Sequence, residues 1–143
     1  MVIGYTTGVF DMFHVGHLNI LRNAKENCDY LIVGISTDEL VYTHKNVNLV
    51  VPFEDRRAIV SALKFVDETV PQSSYNKMDA WNDYKFNRMF VGSDWKGTPQ
   101  WLTYEDAFSK LGVEVVYFDY TRDISSSRLR KVVEENYRKI GRP

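Results

Sequence analysis

The stretch TTGVFDMFHVGH, residues 6–17, connects an apolar, strand-like segment to the start of a helical pattern. Gly16 leaves room for a ligand beside the backbone, and the first turn of a helix offers unpaired N–H groups and positive potential. His14 and His17 can each donate a hydrogen bond to a phosphate oxygen. The stretch therefore predicts an anion-binding loop between the first strand and the first helix.

Histidines three residues apart have two other common explanations. They can cap a helix or decorate its surface, and they can begin a zinc site. A zinc site needs further ligands, and the chain offers only His44 as a third histidine and Cys28 as its single cysteine. The sequence therefore keeps the capping interpretation open beside the phosphate-binding one and disfavours zinc.

Short apolar runs and helical patterns alternate along the rest of the chain. The predicted strands are Val2–Tyr5, Tyr30–Ile35, Glu68–Val70, Arg88–Val91 and Glu114–Phe118, with the third ended by Pro71. The predicted helices are His17–Asn27, Phe53–Leu63, Asp79–Tyr84, Thr103–Leu111 and Ser126–Ile140. Repeated strand–helix alternation predicts an α/β fold, a five-stranded parallel sheet with helices on both faces, as one domain over residues 1–143.

Apolar spacing also predicts which side chains these helices bury. Ile59, Val60 and Leu63 are expected to face inward from the second helix. The last helix carries one apolar stripe, formed by Leu129, Val132, Val133, Tyr137 and Ile140. Gly112 stands where a helix ends in a left-handed residue.

Length and composition exclude several classes of protein. The 143 residues carry a net charge of −1, so no global basic field favours a role in coating nucleic acid. No apolar run approaches the roughly 18 residues that a membrane helix needs. Met1 leads directly into a strand-like segment without a visible signal peptide, and we expect a cytoplasmic protein.

Ligands of open parallel sheets bind at the carboxyl ends of the strands. The loops that reach this edge are residues 6–16, 36–52, 71–78, 92–98 and 119–126. Among them, residues 41–51 make a long connection of mixed polarity that is typical of a mobile lid. Serines and an arginine at residues 122–127 are suited to hold a phosphate at the start of the last helix.

Several motifs occur in a characteristic order along nearly the whole chain. The pattern GxFDxxHxGH is present at residues 8–17, and it is followed by ISTDE at 35–39, EDRR at 54–57, FVDETV at 65–70, GSDWKG at 92–97 and ISSS at 124–127. In this ordered set the chain resembles the bacterial cytidylyltransferases of the nucleotidyltransferase superfamily.

The resemblance implies a Rossmann-like domain that joins CTP to a small phosphorylated acceptor and releases pyrophosphate. Glycerol 3-phosphate is the first expected acceptor, and the product belongs among cell-envelope precursors. The resemblance further implies Mg²⁺ carried by the triphosphate without an assigned protein ligand, and a homodimer. Three alternatives stay open: another phosphorylated acceptor, adenylyl transfer from ATP, and a nucleotide-binding module without activity.

The resemblance also implies roles for individual residues. The catalytic residues are His14, His17 and Lys45, the last standing eleven residues before Arg56. The acceptor would bind Lys45, Tyr75 and Lys77. The nucleotide would bind Gly8, Val9, Phe10, Asp11, Gly16, Asp94, Arg122, Ile124, Ser125, Ser126 and Ser127.

Some positions depart from the family pattern or lie outside it. Tyr120 stands where the family has an arginine, and Asp123 where it has a glycine. Asp11 is expected to organise its loop rather than to transfer a proton. Arg128 and Arg130 are expected to face solvent, although Arg128 is close enough to the serines to be a second candidate for binding the phosphate. His44 has no assigned role.

Overall fold

A five-stranded, fully parallel sheet forms the centre of the protein, with the strand order β3-β2-β1-β4-β5. The computed structural model describes residues 1–119 and 126–139, with Ser126 and Ser127 described by their backbone alone. The strands are β1 (Ile3–Gly8), β2 (Tyr30–Ser36), β3 (Glu68–Gln72), β4 (Arg88–Gly92) and β5 (Glu114–Phe118). The helices are α1 (Val15–Glu26), α2 (Asp38–Lys45), α3 (Phe53–Ser61), α4 (Lys77–Tyr84), α5 (Pro99–Ser109) and α6 (Ser126–Lys139). The predicted fold class is confirmed.

Apolar side chains leave the sheet on both faces and form two cores. Tyr5, Ile32 and Met89 pack with Trp101 and Phe108 on one face. On the other face the core contains Leu21, Leu31, Val33, Ile35 and Phe90. Strands buried on both sides need continuous apolar runs, which is the pattern that the sequence shows in β2. In the part of the chain that the structure describes, no helix is long and apolar enough to cross a membrane.

Four strands extend beyond their predicted ends, β2 and β4 by one residue each and β1 and β3 by more. β1 continues to Gly8 because Thr6 and Thr7 pair with Val33 and Gly34 of β2. β3 continues through Pro71, although a proline predicts the end of a strand. Proline is tolerated there because β3 is an edge strand and pairs on one side alone. β5 has the predicted bounds.

The prediction of a loop over residues 36–52 is wrong in its first half, since residues 38–45 form α2. Thr37 caps this helix, its Oγ1 accepting from the backbone N of Leu40 at 3.2 Å. Asp38 and Glu39 stand in the first turn, where negative charge stabilises a helix. These signals are legible in the sequence, and Lys45 therefore ends a helix instead of lying in a loop. Whether the segment moves as a lid stays a prediction.

The burial prediction for Ile59 is also wrong. Ile59 is 44% exposed, because the inward face of α3 is occupied by Val60 and Arg56, one turn apart. On α6, Val132, Val133 and Tyr137 are exposed in the single chain. Ile140 lies outside the described residues, and Gly112 adopts the predicted left-handed conformation with φ +76°.

Arg56 joins the segments that surround the carboxyl end of the sheet. Its side chain is fully buried, and its Nη1 donates to the backbone O of Val9 at 2.7 Å and of Ser36 at 2.8 Å. Nε donates to the O of Val51 at 2.9 Å, and Nη2 pairs with Asp38 Oδ1 at 2.7 Å. A buried charge is tolerated when its hydrogen bonds are satisfied, as these are. One side chain therefore holds the β1–α1 loop, the end of β2, the start of α2 and the approach to α3.

We expect the Arg56→Met variant to lose about 3–5 kcal/mol of unfolding free energy, because it leaves buried carbonyl groups and Asp38 without their partner. Urea unfolding followed by circular dichroism measures this loss. Lys64→Met, at an exposed position, is the control and should unfold as the wild type does. A loss below 1 kcal/mol in Arg56→Met would show that the guanidinium is not an organising contact.

Candidate active site

A cleft of about 710 Å³ opens at the carboxyl end of the sheet, where β1 lies between β2 and β4. This is the point at which strand order reverses and at which open α/β sheets bind ligands. Predicted site residues that line it are Gly8, Val9, Phe10, Asp11, His17, Lys45, Tyr75 and Lys77. The structure thus brings together residues from the connections that follow β1, β2 and β3. The lining also includes Ser36, Gln72, Trp95, Gln100, Trp101, Tyr104 and Arg130, which the sequence analysis did not assign to the site.

The two histidines form a reciprocal cap at the start of α1. Nδ1 of His14 accepts from the backbone N of Gly16 at 3.0 Å, and Nδ1 of His17 accepts from the backbone N of His14 at 3.2 Å. The rings stack with their centroids 3.8 Å apart. The capping interpretation is therefore confirmed. It does not exclude chemistry, since each ring uses Nδ1 as an acceptor and so carries its proton on Nε2.

Both imidazoles are neutral near pH 7. Burial lowers the pKa of His17 to about 4, the charge of His14 lowers it further, and Asp11 opposes both. Burial also lowers the pKa of His14. Nε2 of His14 is buried and has no hydrogen-bond partner in the part of the chain that the structure describes. A neutral Nε2–H group without a partner at a helix N-terminus is suited to donate to an anionic oxygen.

Asp11 organises the loop, as the sequence predicts. The carboxylate is buried and accepts from the backbone N of Val50 at 3.1 Å and of Val51 at 2.9 Å. Arg130 Nη1 lies 2.9 Å from Asp11 Oδ2. The expectation that Arg130 faces solvent is wrong, because α6 is docked so that this side chain reaches the cleft. The register of that docking is not legible in the sequence.

The loop between β1 and α1 holds an unusual backbone. Phe10 and Met12 adopt positive φ values of 56° and 50°, which are uncommon for residues with a side chain. Burial of the Phe10 ring and the bond from Arg56 to Val9 O hold this conformation. Strained loops of this kind are concentrated at functional sites. Here the loop conformation brings the two histidines to the start of α1.

Lys77 is a half-buried cation without an acidic partner among the described residues. Its Nζ donates to Thr7 Oγ1 at 3.1 Å and to Gln72 Oε1 at 2.9 Å. Burial lowers its pKa to about 8. Gln72 is itself held by Ser36, whose Oγ accepts from Gln72 Nε2 at 2.9 Å. No carboxylate of the described residues forms an ion pair with Lys77, so an anionic ligand would find an uncompensated positive charge there.

The cleft as a whole is basic. Lys45, Lys77 and Arg130 contribute cationic side chains. Asp11 is the one carboxylate in the described lining, and its oxygens already bind two backbone N–H groups and Arg130. Residues 1–119 and 126–139 contain no cluster of three His, Cys, Asp or Glu able to hold a metal ion. An ion that accompanied a phosphate ligand would therefore be held mainly by that ligand and by water.

The remaining predicted residues lie in three places. Gly16 is buried behind the lining, with its N–H bound to His14. Asp94 is exposed and outside the lining, whereas its neighbour Trp95 is part of it. Arg122, Ile124, Ser125, Tyr120 and Asp123 lie outside the described residues, as do the side chains of Ser126 and Ser127. Their roles stay predictions.

We expect Lys77→Met to stabilise the protein near pH 7 by up to roughly 3 kcal/mol, because it removes a buried, unpaired ammonium. Since the pKa of Lys77 is about 8 in the folded protein and ordinarily 10.5, the unfolded chain binds more protons between these values. Wild-type stability should therefore rise with pH across that window, and the advantage of the variant should shrink. Urea unfolding at pH 7.0 and 9.5 tests this, with exposed Lys64→Met as control. A variant that is less stable at pH 7, or an advantage that is constant with pH, would contradict it.

Comparison with known proteins agrees with this geometry. Residues 5–132 match the family model described as cytidylyltransferase-like. The chain is 33% identical to a glycerol-3-phosphate cytidylyltransferase of Bacillus subtilis (strain 168), over 90% of this chain and 94% of that protein. It is also 33% identical to an FAD synthase of Archaeoglobus fulgidus, over 94% of this chain and 97% of that protein.

A solved structure shares the fold. The lipopolysaccharide core biosynthesis protein of Thermoplasma volcanium superposes with a TM-score of 0.69 at 26% identity, covering 85% of this chain and 97% of that one. Fold, motif order and whole-length identity agree. The chain therefore belongs to the cytidylyltransferase-like family and is a nucleotidyltransferase.

Proposed function

We propose that this enzyme transfers CMP from CTP to glycerol 3-phosphate, giving CDP-glycerol and pyrophosphate. The observation that carries the proposal is the pair of neutral histidines that cap α1: His17 lines the cleft, and the buried Nε2–H of His14, which is not part of the lining, has no hydrogen-bond partner among the described residues. The choice of CTP and glycerol 3-phosphate is supported by the whole-length similarity to a protein of that name.

The reaction needs no protein nucleophile. A phosphate oxygen of the acceptor attacks the α-phosphorus of CTP in line, its new P–O bond forms, and the bond to the bridging oxygen breaks to release pyrophosphate. Such transfers are accelerated by positioning and by charge stabilisation. His14 and His17 would donate to phosphate oxygens as charge shifts toward the leaving group. Lys45 would stand between the acceptor phosphate and the α-phosphate, and Lys77 would bind the acceptor.

We also propose Mg²⁺ as the companion of the triphosphate. The ion, when bound, neutralises part of the charge on the leaving pyrophosphate. The protein residues in the described lining fit this arrangement, because none offers a free carboxylate that would compete with phosphate oxygens for the ion. We further propose that the enzyme acts in the cytoplasm as a homodimer, and Val132 and Val133, two apolar side chains that α6 exposes, are suited to a subunit contact.

Charge supports a polyol phosphate over an ammonium-bearing acceptor. The acceptor end of the cleft contains Lys45 and Lys77, while Asp11, the one carboxylate that the described residues contribute to the lining, is already bound by Arg130. An acceptor such as ethanolamine phosphate would bring an ammonium group of its own. That group would find no free carboxylate as a counter-ion in the described lining. Hydroxyl groups of glycerol 3-phosphate meet no such penalty and can bond to Gln72 or Tyr75.

Turnover of defined substrate pairs tests this function. With CTP, we expect glycerol 3-phosphate to be used at least tenfold more efficiently than ethanolamine phosphate, as judged by kcat/KM from pyrophosphate release. CTP should be consumed faster than ATP in the same assay. Preference for another acceptor would refute the named substrate, preference for ATP would refute cytidylyl transfer, and no turnover of either nucleotide would favour a binding module.

Two substitutions at one position separate helix capping from catalysis. His14→Asn keeps a side-chain oxygen that can accept from Gly16 N, so thermal stability should stay near that of the wild type. It removes the Nε2–H donor, and kcat should fall on the order of 10²–10³-fold with the KM for CTP little changed. His14→Ala should lose both the rate and about 1 kcal/mol of stability. Wild-type kcat in His14→Asn would refute the catalytic role.

A further inference from the structure

His44 lies in the last turn of α2, immediately before Lys45, and packs against a ring from another part of the chain. Its imidazole meets Tyr75 edge to face, with centroids 4.7 Å apart and planes at 82°. Nδ1 lies 3.1 Å from the backbone O of Leu40. A carbonyl oxygen can only accept, so Nδ1 carries the proton and the bond holds the ring in place over its own helix.

Tyr75 is the side chain that this contact orients. It belongs to the segment between β3 and α4 and lines the cleft. Its hydroxyl is buried beside Ser36, where burial raises its pKa. The ring centroid lies 6.0 Å from Lys77 Nζ. Tyr75 therefore stands between Lys77, inside the cleft, and His44, which is exposed and absent from the lining.

The contact joins the two elements that carry the acceptor-side lysines. Lys45 ends α2, and the helix is followed by Asn46 in a left-handed conformation and by residues 47–49 without regular structure. Lys77 begins α4, one residue after its cap Asn76. Edge-to-face aromatic pairs add stability beyond the area they bury. The ring pair thus opposes separation of the end of α2 from the segment that holds Tyr75.

We propose that His44 is a positioning residue for acceptor binding: by packing against Tyr75 it holds Lys45 and Lys77 at the separation that a phosphorylated acceptor requires. The proposal rests on the proposed function in one respect, that the acceptor binds between these two lysines. His44 acts through Tyr75 and does not contact the substrate.

Kinetics of three variants test the proposal. His44→Ala should raise the KM for glycerol 3-phosphate roughly five- to tenfold, the scale of one lost aromatic pair, with CTP affinity by calorimetry unchanged. His44→Phe keeps a ring that can pack edge-on and should restore a KM within about twofold of the wild type. The control Thr43→Ala changes the exposed neighbour and should behave as the wild type. Addition of Tyr75→Leu to His44→Ala should raise the KM little beyond Tyr75→Leu alone.

A second readout does not depend on turnover. In the ligand-free protein, amide hydrogen exchange of residues 73–77 should be faster in His44→Ala than in the wild type, and unchanged in Thr43→Ala and His44→Phe. Unchanged exchange in His44→Ala, or an acceptor KM equal to that of the wild type, would overturn the proposal. A His44→Phe variant as impaired as His44→Ala would also overturn it, because the imidazole nitrogen would then matter more than the ring. If the wild type turns over no CTP, the proposed function fails while the exchange result still decides the role of His44.

Discussion

The buried guanidinium of Arg56 is the contact on which the geometry of the cleft depends. It donates to main-chain oxygens of Val9, Ser36 and Val51 and pairs with Asp38. Each of these groups belongs to a different segment. All four are hydrogen-bond acceptors, so none of them can bond to another. A cation with five donors in a planar fork suits this role, and lysine does not. The bottom of the cleft is thus built around one ionised side chain that the cleft itself does not expose.

Each of the two histidine rings uses Nδ1 to cap α1 and would use Nε2 for the proposed chemistry. The backbone of the α1 start occupies Nδ1 of His14 and of His17, which selects the Nε2–H tautomer, and burial keeps both rings neutral by lowering their pKa values. His44 has the reverse arrangement, with Nδ1 as the donor to Leu40. The tautomer of each histidine therefore follows from its backbone partner. Folding alone thus gives both rings the tautomer that the proposed phosphate binding requires.

Stability and ligand binding oppose each other at Lys77. Its ammonium has neutral partners, Thr7 and Gln72, and its depressed pKa records the cost of burying a charge without a counter-ion. An anionic acceptor would supply that counter-ion and return the pKa toward its ordinary value. The fold thus holds a charge that is unfavourable in the empty enzyme and favourable in the complex. Arg130 differs, because Asp11 already neutralises it.

The sequence by itself determined the alternating elements and the loop at residues 6–17, because apolar periodicity and motif spacing are local properties. The common edge of parallel strands predicted that the loops at residues 36–52 and 71–78 would meet the histidine loop, and the family resemblance singled out Lys45, Tyr75 and Lys77 within them. Tertiary structure alone decided that Arg130 reaches Asp11 and that His44 packs on Tyr75. These contacts depend on how each helix is rotated and docked on the sheet. The helical period of 3.6 residues determines which side chains share a face, but it does not determine which residues of other elements that face contacts.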